Sequence, residues 1–92
     1  MDFKISKTAR AEIQRWLTNA DFKDHIPTIA WMGDAEGKNW NWGVGTFLRS
    51  DLPRSSRGFV MLDGMEFFIE PNQHDNLRGK TLLFEDGEFS IK

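Results

Sequence analysis

Two Asp-Gly pairs, Asp63-Gly64 and Asp86-Gly87, each sit between short apolar runs, and they constrain this chain more than any other feature. A two-residue hairpin turn of type I′ needs positive φ at both central positions, and Asp-Gly supplies that at little steric cost. FVML and MEFFIE around Asp63-Gly64 therefore read as one hairpin, and Lys80 to Glu85 with Glu88 to Ile91 as a second. Pro71 stops the first hairpin, and Asn72 to Arg78 forms a connector with room for one helical turn. At the other end, DFKI (Asp2 to Ile5) alternates polar and apolar residues as a short strand does.

One helix stands out. Ala9, Ile13, Trp16, Leu17 and Ala20 make a single apolar stripe, predicting a helix from Lys7 to Thr18 with Lys7, Arg10, Glu12, Gln14 and Arg15 on the wet side. Ser6 or Thr8 can cap its first turn through a hydroxyl. Asn19, Asp21, Asp24 and Pro27 end the pattern. From Thr28 the chain reads β: TIAWM, a turn-rich GDAEGKN, then WNWGVGTFLR. In that last run Trp40, Trp42, Val44, Thr46 and Leu48 share one face by period two, and Asn41, Gly43, Gly45, Phe47 and Arg49 the other. Glycines inside a strand mark a bulge or a close approach of other atoms. Ser50 to Gly58 reads as a loop. One amphipathic helix followed by short strands predicts an α+β fold, the helix packed on a small, mostly antiparallel sheet. At 92 residues the whole chain, 1–92, is expected to form a single domain.

Composition narrows the function classes. The formal charge is −2, whereas a nucleic-acid binder shows a basic face, so no nucleic-acid partner is expected. The one local basic excess, Arg49, Arg54 and Arg57 in RSDLPRSSR, reads as a solvated loop. The chain has no cysteine, which removes disulfides, zinc fingers, thiol nucleophiles and ordinary iron–sulfur ligation together. The charged N-terminus is unlike a signal peptide, and the apolar runs are too short for a membrane span, so no membrane partner and a cytoplasmic location are the expectation.

The order of features resembles the HesB or A-type iron–sulfur carrier domain over nearly the whole chain. The opening ISKTARAEI (Ile5 to Ile13) is similar to the family's start, TIAWMGDAEGKNWNWGVGTF (Thr28 to Phe47) to its strand, Gly-Cys turn and strand, and GFVMLDGMEFFIEP to its later Asp-Gly half. The resemblance implies a HesB-like arrangement of helix and strands. It also implies a thiolate after Gly37, where Lys38 stands, and two more in a tail that would begin where this sequence reaches Lys92. Protonated lysine is a poor metal ligand and clusters are held by soft thiolates, so neither a cluster nor another cofactor is expected.

The candidate site is the tryptophan-rich turn: Trp31, Lys38, Asn39, Trp40 and Asn41. Rigid rings beside polar side chains can anchor a partner protein or stack a ring-shaped ligand. Against that stands the need of a small domain to bury its large rings, which predicts Trp42 and one other of the three packed on Trp16 and Ile13. Lys38 acts as a nucleophile only with burial or a neighbouring cation, and no base, nucleophile and orienting group share a recognisable spacing, so no enzyme is expected. GVG (Gly43 to Gly45) lacks a following helix and is no phosphate loop. His25 and His74 stand apart and form no ligand spacing, so no metal site is expected. The leading expectation is a non-catalytic HesB-like domain that contacts another protein. The alternative is a small-ligand module walled by Trp31 and Trp40, with Asn39 or Asn41 as polar contacts.

Overall fold

The computed structural model describes residues 1–52 and 57–92. Among these, the elements in chain order are β1 (Phe3–Ile5), α1 (Lys7–Leu17), β2 (His25–Met32), β3 (Asn41–Leu48), β4 (Phe59–Leu62), β5 (Met65–Ile69), α2 (His74–Leu77), β6 (Lys80–Glu85) and β7 (Glu88–Ile91), with short 3-10 turns between some of them. The chain is an α+β domain, but its strands form two sheets: β1-β6-β7 and β3-β2-β5-β4. Each sheet contains one parallel ladder, β1 with β6 and β2 with β5, alongside antiparallel hairpins. The pairing is mostly antiparallel, as expected, but the one sheet of the expectation is corrected to two, each holding one parallel ladder. Local alternation predicts strands but says nothing about which distant strands pair.

Both Asp-Gly turns have the backbone their residues predict: φ is +50° and +80° at Asp63 and Gly64, and +52° and +79° at Asp86 and Gly87. The first turn also ties down the chain start, because the Ile5 N–H donates to Asp63 Oδ2 at 3.2 Å. Ser6 is the helix cap, accepting from the Ala9 N–H at 3.2 Å. The helix ends at Leu17 with Thr18 as its C-cap, and Ala20, expected on the apolar stripe, lies exposed in a following 3-10 turn.

β2 begins at His25, three residues before the predicted Thr28, and runs through Pro27. The pairing explains how. Ladder bonds of an antiparallel pair fall on alternate residues. Arg49 N–H donates to the Asp24 carbonyl at 2.9 Å, in register with the ladder, so odd-numbered residues of β3 carry the bonds. Pro27 lies opposite Thr46, at a non-bonded site, and the parallel ladder to β5 starts only at Thr28. The missing N–H of proline is asked for by neither neighbour.

The core draws on every layer: Phe3 and Ile5 from β1, Ala9 and Ile13 from α1, Ile29 from β2, Phe67 and Ile69 from β5, Leu77 from α2 and Leu82 from β6 are buried together. The α1 helix packs on β6 and reaches β2, so it serves both sheets. Trp16 holds its place by an edge contact with Phe89 (5.3 Å between centroids) and by donating Nε1–H to Glu12 Oε1 at 3.0 Å. Arg15 pairs with the same Glu12 carboxylate and is the main cause of its lowered pKa. No helix is long and apolar enough to cross a membrane among the described residues.

A left-handed backbone costs about 1–2 kcal/mol for a residue with a Cβ. Gly64→Ala and Gly87→Ala are each expected to lower unfolding free energy by roughly that amount. Gly45→Ala should lie within ~0.5 kcal/mol of the parent, because Gly45 has no positive φ and a Cβ there meets nothing within 4 Å. Urea denaturation of the three variants checks the contrast.

Candidate functional site

The turn between β2 and β3 is organised by one carboxylate. Asp34 Oδ1 accepts from the Glu36 N–H (3.0 Å) and the Lys38 N–H (2.8 Å), and Oδ2 accepts from Asn39 Nδ2 (2.8 Å). The Asp34 N–H donates to the Lys38 carbonyl at 2.7 Å and the Gly37 N–H to the Asp34 carbonyl at 2.9 Å, which closes the loop on itself. Gly37 (φ +74°) and Asn39 (φ +53°) take the left-handed conformations that let so few residues curl around one side chain. The bond from the Lys38 N–H, followed by that from the Asn39 amide, holds the Asp34 carboxyl below the ordinary carboxylate range.

The tryptophans follow from this frame. Trp31 and Trp42 face each other across β2 and β3 and meet edge to face, with centroids 5.0 Å apart. Trp42 packs against the core, as expected. Trp31 and Trp40 do not: they are 43% and 52% exposed, which corrects the expectation that one of them would be buried with it. The reason is position. Trp31 lies one residue from the end of β2, where the strand's burial has given out, and Trp40 stands outside β3, which starts at Asn41. Its ring turns back on the loop, where Nε1–H donates to the Gly37 carbonyl at 3.1 Å. A Cβ on Gly33 would come within 2.9 Å of that ring.

Of the other predicted residues, Lys38 is exposed at the loop tip, Asn39 is exposed with its amide nitrogen committed to Asp34, and Asn41 Oδ1 accepts from the Trp42 N–H at 2.8 Å. The five residues thus share one loop and its strand ends, but their polar groups are partly used within it. Asp34 was missed as the organiser. The signal was present: an aspartate opening a glycine-containing turn can accept from N–H groups just ahead of it, as in an Asx-turn.

His25 and His74 are held apart by different tasks. His25 Nδ1 lies 3.0 Å from Thr46 Oγ1, and His74 Nε2–H donates to the Ile69 carbonyl at 2.8 Å. Groups of three or more His, Asp or Glu suited to a metal are absent among the described residues. In the basic stretch, Arg49 pairs with Glu66 at 2.5 Å and lies 5.8 Å from the Phe59 ring centre. Arg54 lies outside the described residues. A cleft of about 730 Å³ is lined by Leu48, Arg49, Leu52, Phe59 and Glu66 among others, and by none of the five predicted residues.

These elements define a small α+β domain of two mixed sheets with a tightly bonded, tryptophan-bearing turn. No protein-family model and no curated protein sequence matches the chain. Among solved structures it is similar to the solution NMR structure of a protein from Aquifex aeolicus, a Northeast Structural Genomics Consortium target, with a TM-score of 0.65, 22% identity, and coverage of 100% of this chain and 91% of that one. At that identity the likeness is one of fold, and fold does not carry function.

Because the folded pKa of Asp34 is depressed, its bonds favour the closed loop fully above the ordinary aspartate range. They are lost as pH falls through the lowered folded value. The indole N–H resonance of Trp40 is expected to hold its shift down through the usual aspartate range and to move only below it. In Asp34→Ala the same resonance should sit near a free-indole position at every pH.

Proposed function

We propose that this domain is a non-catalytic, HesB-like protein-binding module that contacts its partner through the turn from Gly33 to Trp42. The observation that carries the reading is the exposure of Trp31 and Trp40 on a loop fixed by Asp34. Large rings on a rigid support suit a contact surface, because they bury much area on binding and lose little further conformational freedom. Lys38 and Asn41 supply polar groups at its rim. The HesB-like part of the reading rests on ISKTARAEI, on GFVMLDGMEFFIEP and on the order of elements between them.

Protein contact is favoured over small-ligand binding by two features. The Asn39 amide and the Asn41 oxygen are already bonded within the loop, and the 730 Å³ cleft is lined by other residues. Cluster carriage is set aside because the chain has no cysteine, and iron–sulfur clusters require soft thiolate donors.

Affinity purification from cells that express the protein is expected to recover one stoichiometric polypeptide, lost in Trp31→Ala and Trp40→Ala variants that keep the parent circular dichroism. Retention of that polypeptide by both variants would exclude the turn. Incubation with iron and sulfide under reducing conditions should leave no stoichiometric visible absorbance; a cluster held at one per chain or per dimer would overturn the ligand-loss part.

A further inference from the structure

The geometry points to a binding site for a planar heterocycle of the nucleobase kind, in the cleft between the end of α1 and the outer edge of β3. The cleft measures about 450 Å³ and is lined by Arg15, Trp16, Asn19, Phe22, Gly45 and Thr46. That size lies within the range of small-molecule sites. β3 is the outermost strand of its sheet. Its odd residues bond β2, as the Arg49 to Asp24 bond shows, so the backbone N–H and C=O of Thr46 turn outward. Pro27, opposite Thr46, has no N–H to offer that carbonyl in any case. Further along the same edge, the Trp42 N–H is met by Asn41 Oδ1 and β7 lies beside Trp42 and Val44. Thr46 has the cleft instead.

The Thr46 hydroxyl is engaged by His25 Nδ1 at 3.0 Å, so what this residue offers the cleft is its backbone: one donor beside one acceptor, neither with a partner among the described residues. The ladder to β2 holds both in place. Nucleobase edges carry the complement, a donor next to an acceptor in one plane. The walls suit a flat ring. Trp16 gives its Nε1–H to Glu12 and is steadied by its edge contact with Phe89, and Phe22 meets His25 edge to face at 5.4 Å. Rings fixed in advance lose little freedom when a base stacks on them. At the rim, Arg15 is already paired with Glu12, so the site asks for an uncharged base rather than an anion. The larger cleft beside Leu48 offers no such pair of groups, because Arg49 and Glu66 satisfy each other. Trp31 and Trp40 take no part, so this site and the partner contact at the turn stand or fall separately.

Titration of the isotope-labelled protein with adenosine, guanosine, cytidine and uridine, followed through backbone and indole N–H resonances, tests the site. At least one nucleoside is expected to shift the Thr46 amide saturably and the Trp16 indole with it, while the Trp31 and Trp40 indoles hold. This readout uses the parent and needs no variant. Phe22→Ala should weaken the same binding at least about fivefold, the lower end of what one base–ring stack contributes. The substitution spares the core, because Phe22 lies outside its cluster. No saturable shift at Thr46 with any of the four nucleosides, a shift confined to Trp31 and Trp40, or unchanged affinity in a folded Phe22→Ala would overturn the inference.

Discussion

The stretch of β2 from Ile26 to Ile29 is covered on every side, and the domain is arranged around that requirement. Ile26, Thr28 and Ile29 are buried although successive residues of a strand point to opposite faces. A strand of this kind cannot lie at an edge. β3 takes one flank and β5 the other, α1 reaches its inner side, and the parallel ladder at Thr28 and Ile29 joins it to the most deeply buried strand, which carries Phe67 and Ile69. The hydroxyl that this burial strands, Thr28 Oγ1, donates to the Ile26 carbonyl at 3.3 Å, and no buried side-chain nitrogen or oxygen lacks a partner among the described residues.

What could be read from the residues alone was whatever is decided within a few positions. The stripe from Ala9 to Leu17 announces its helix because burial every third or fourth residue has one regular solution. Asp63-Gly64 and Asp86-Gly87 announce their turns because few other pairs tolerate two positive φ angles. The division of β3 into two faces was legible by alternation, but that Trp42 and Val44 turn inward and Phe47 outward is decided by what packs on the sheet. What was hidden depends on partners far away. Pro27 reads as a breaker until Thr46 is known to sit opposite it, and the division into two sheets rests on ladders joining residues 3–5 to 80–82 and 28–29 to 68–69.

The candidate site shows the same division at a smaller scale. The cluster of rings and amides around Trp40 is visible as composition, but its geometry is not. Which of the rings meets water depends on where β3 begins, and one residue decides it: Trp40 falls outside the strand and folds onto Gly33 and Gly37. The loop's stiffness comes from an aspartate whose charge is used locally and so has no acid–base partner to advertise it.

The short ladder between β1 and β6 also bears on how the chain assembles. Phe3 pairs with Lys80 and Ile5 with Leu82, so the first strand of this fold in chain order waits for the sixth. Closing so long a loop costs entropy before any contact rewards it, and contacts of high sequence separation slow folding. The α1 helix and the β2–β3 hairpin draw on neighbouring residues and carry no such cost, and the Ile5 N–H has a tie besides that ladder, to Asp63 Oδ2 in the turn between β4 and β5. The first strand is thus fastened to both halves of the fold, to β6 by its ladder and to the β4–β5 turn by a side chain.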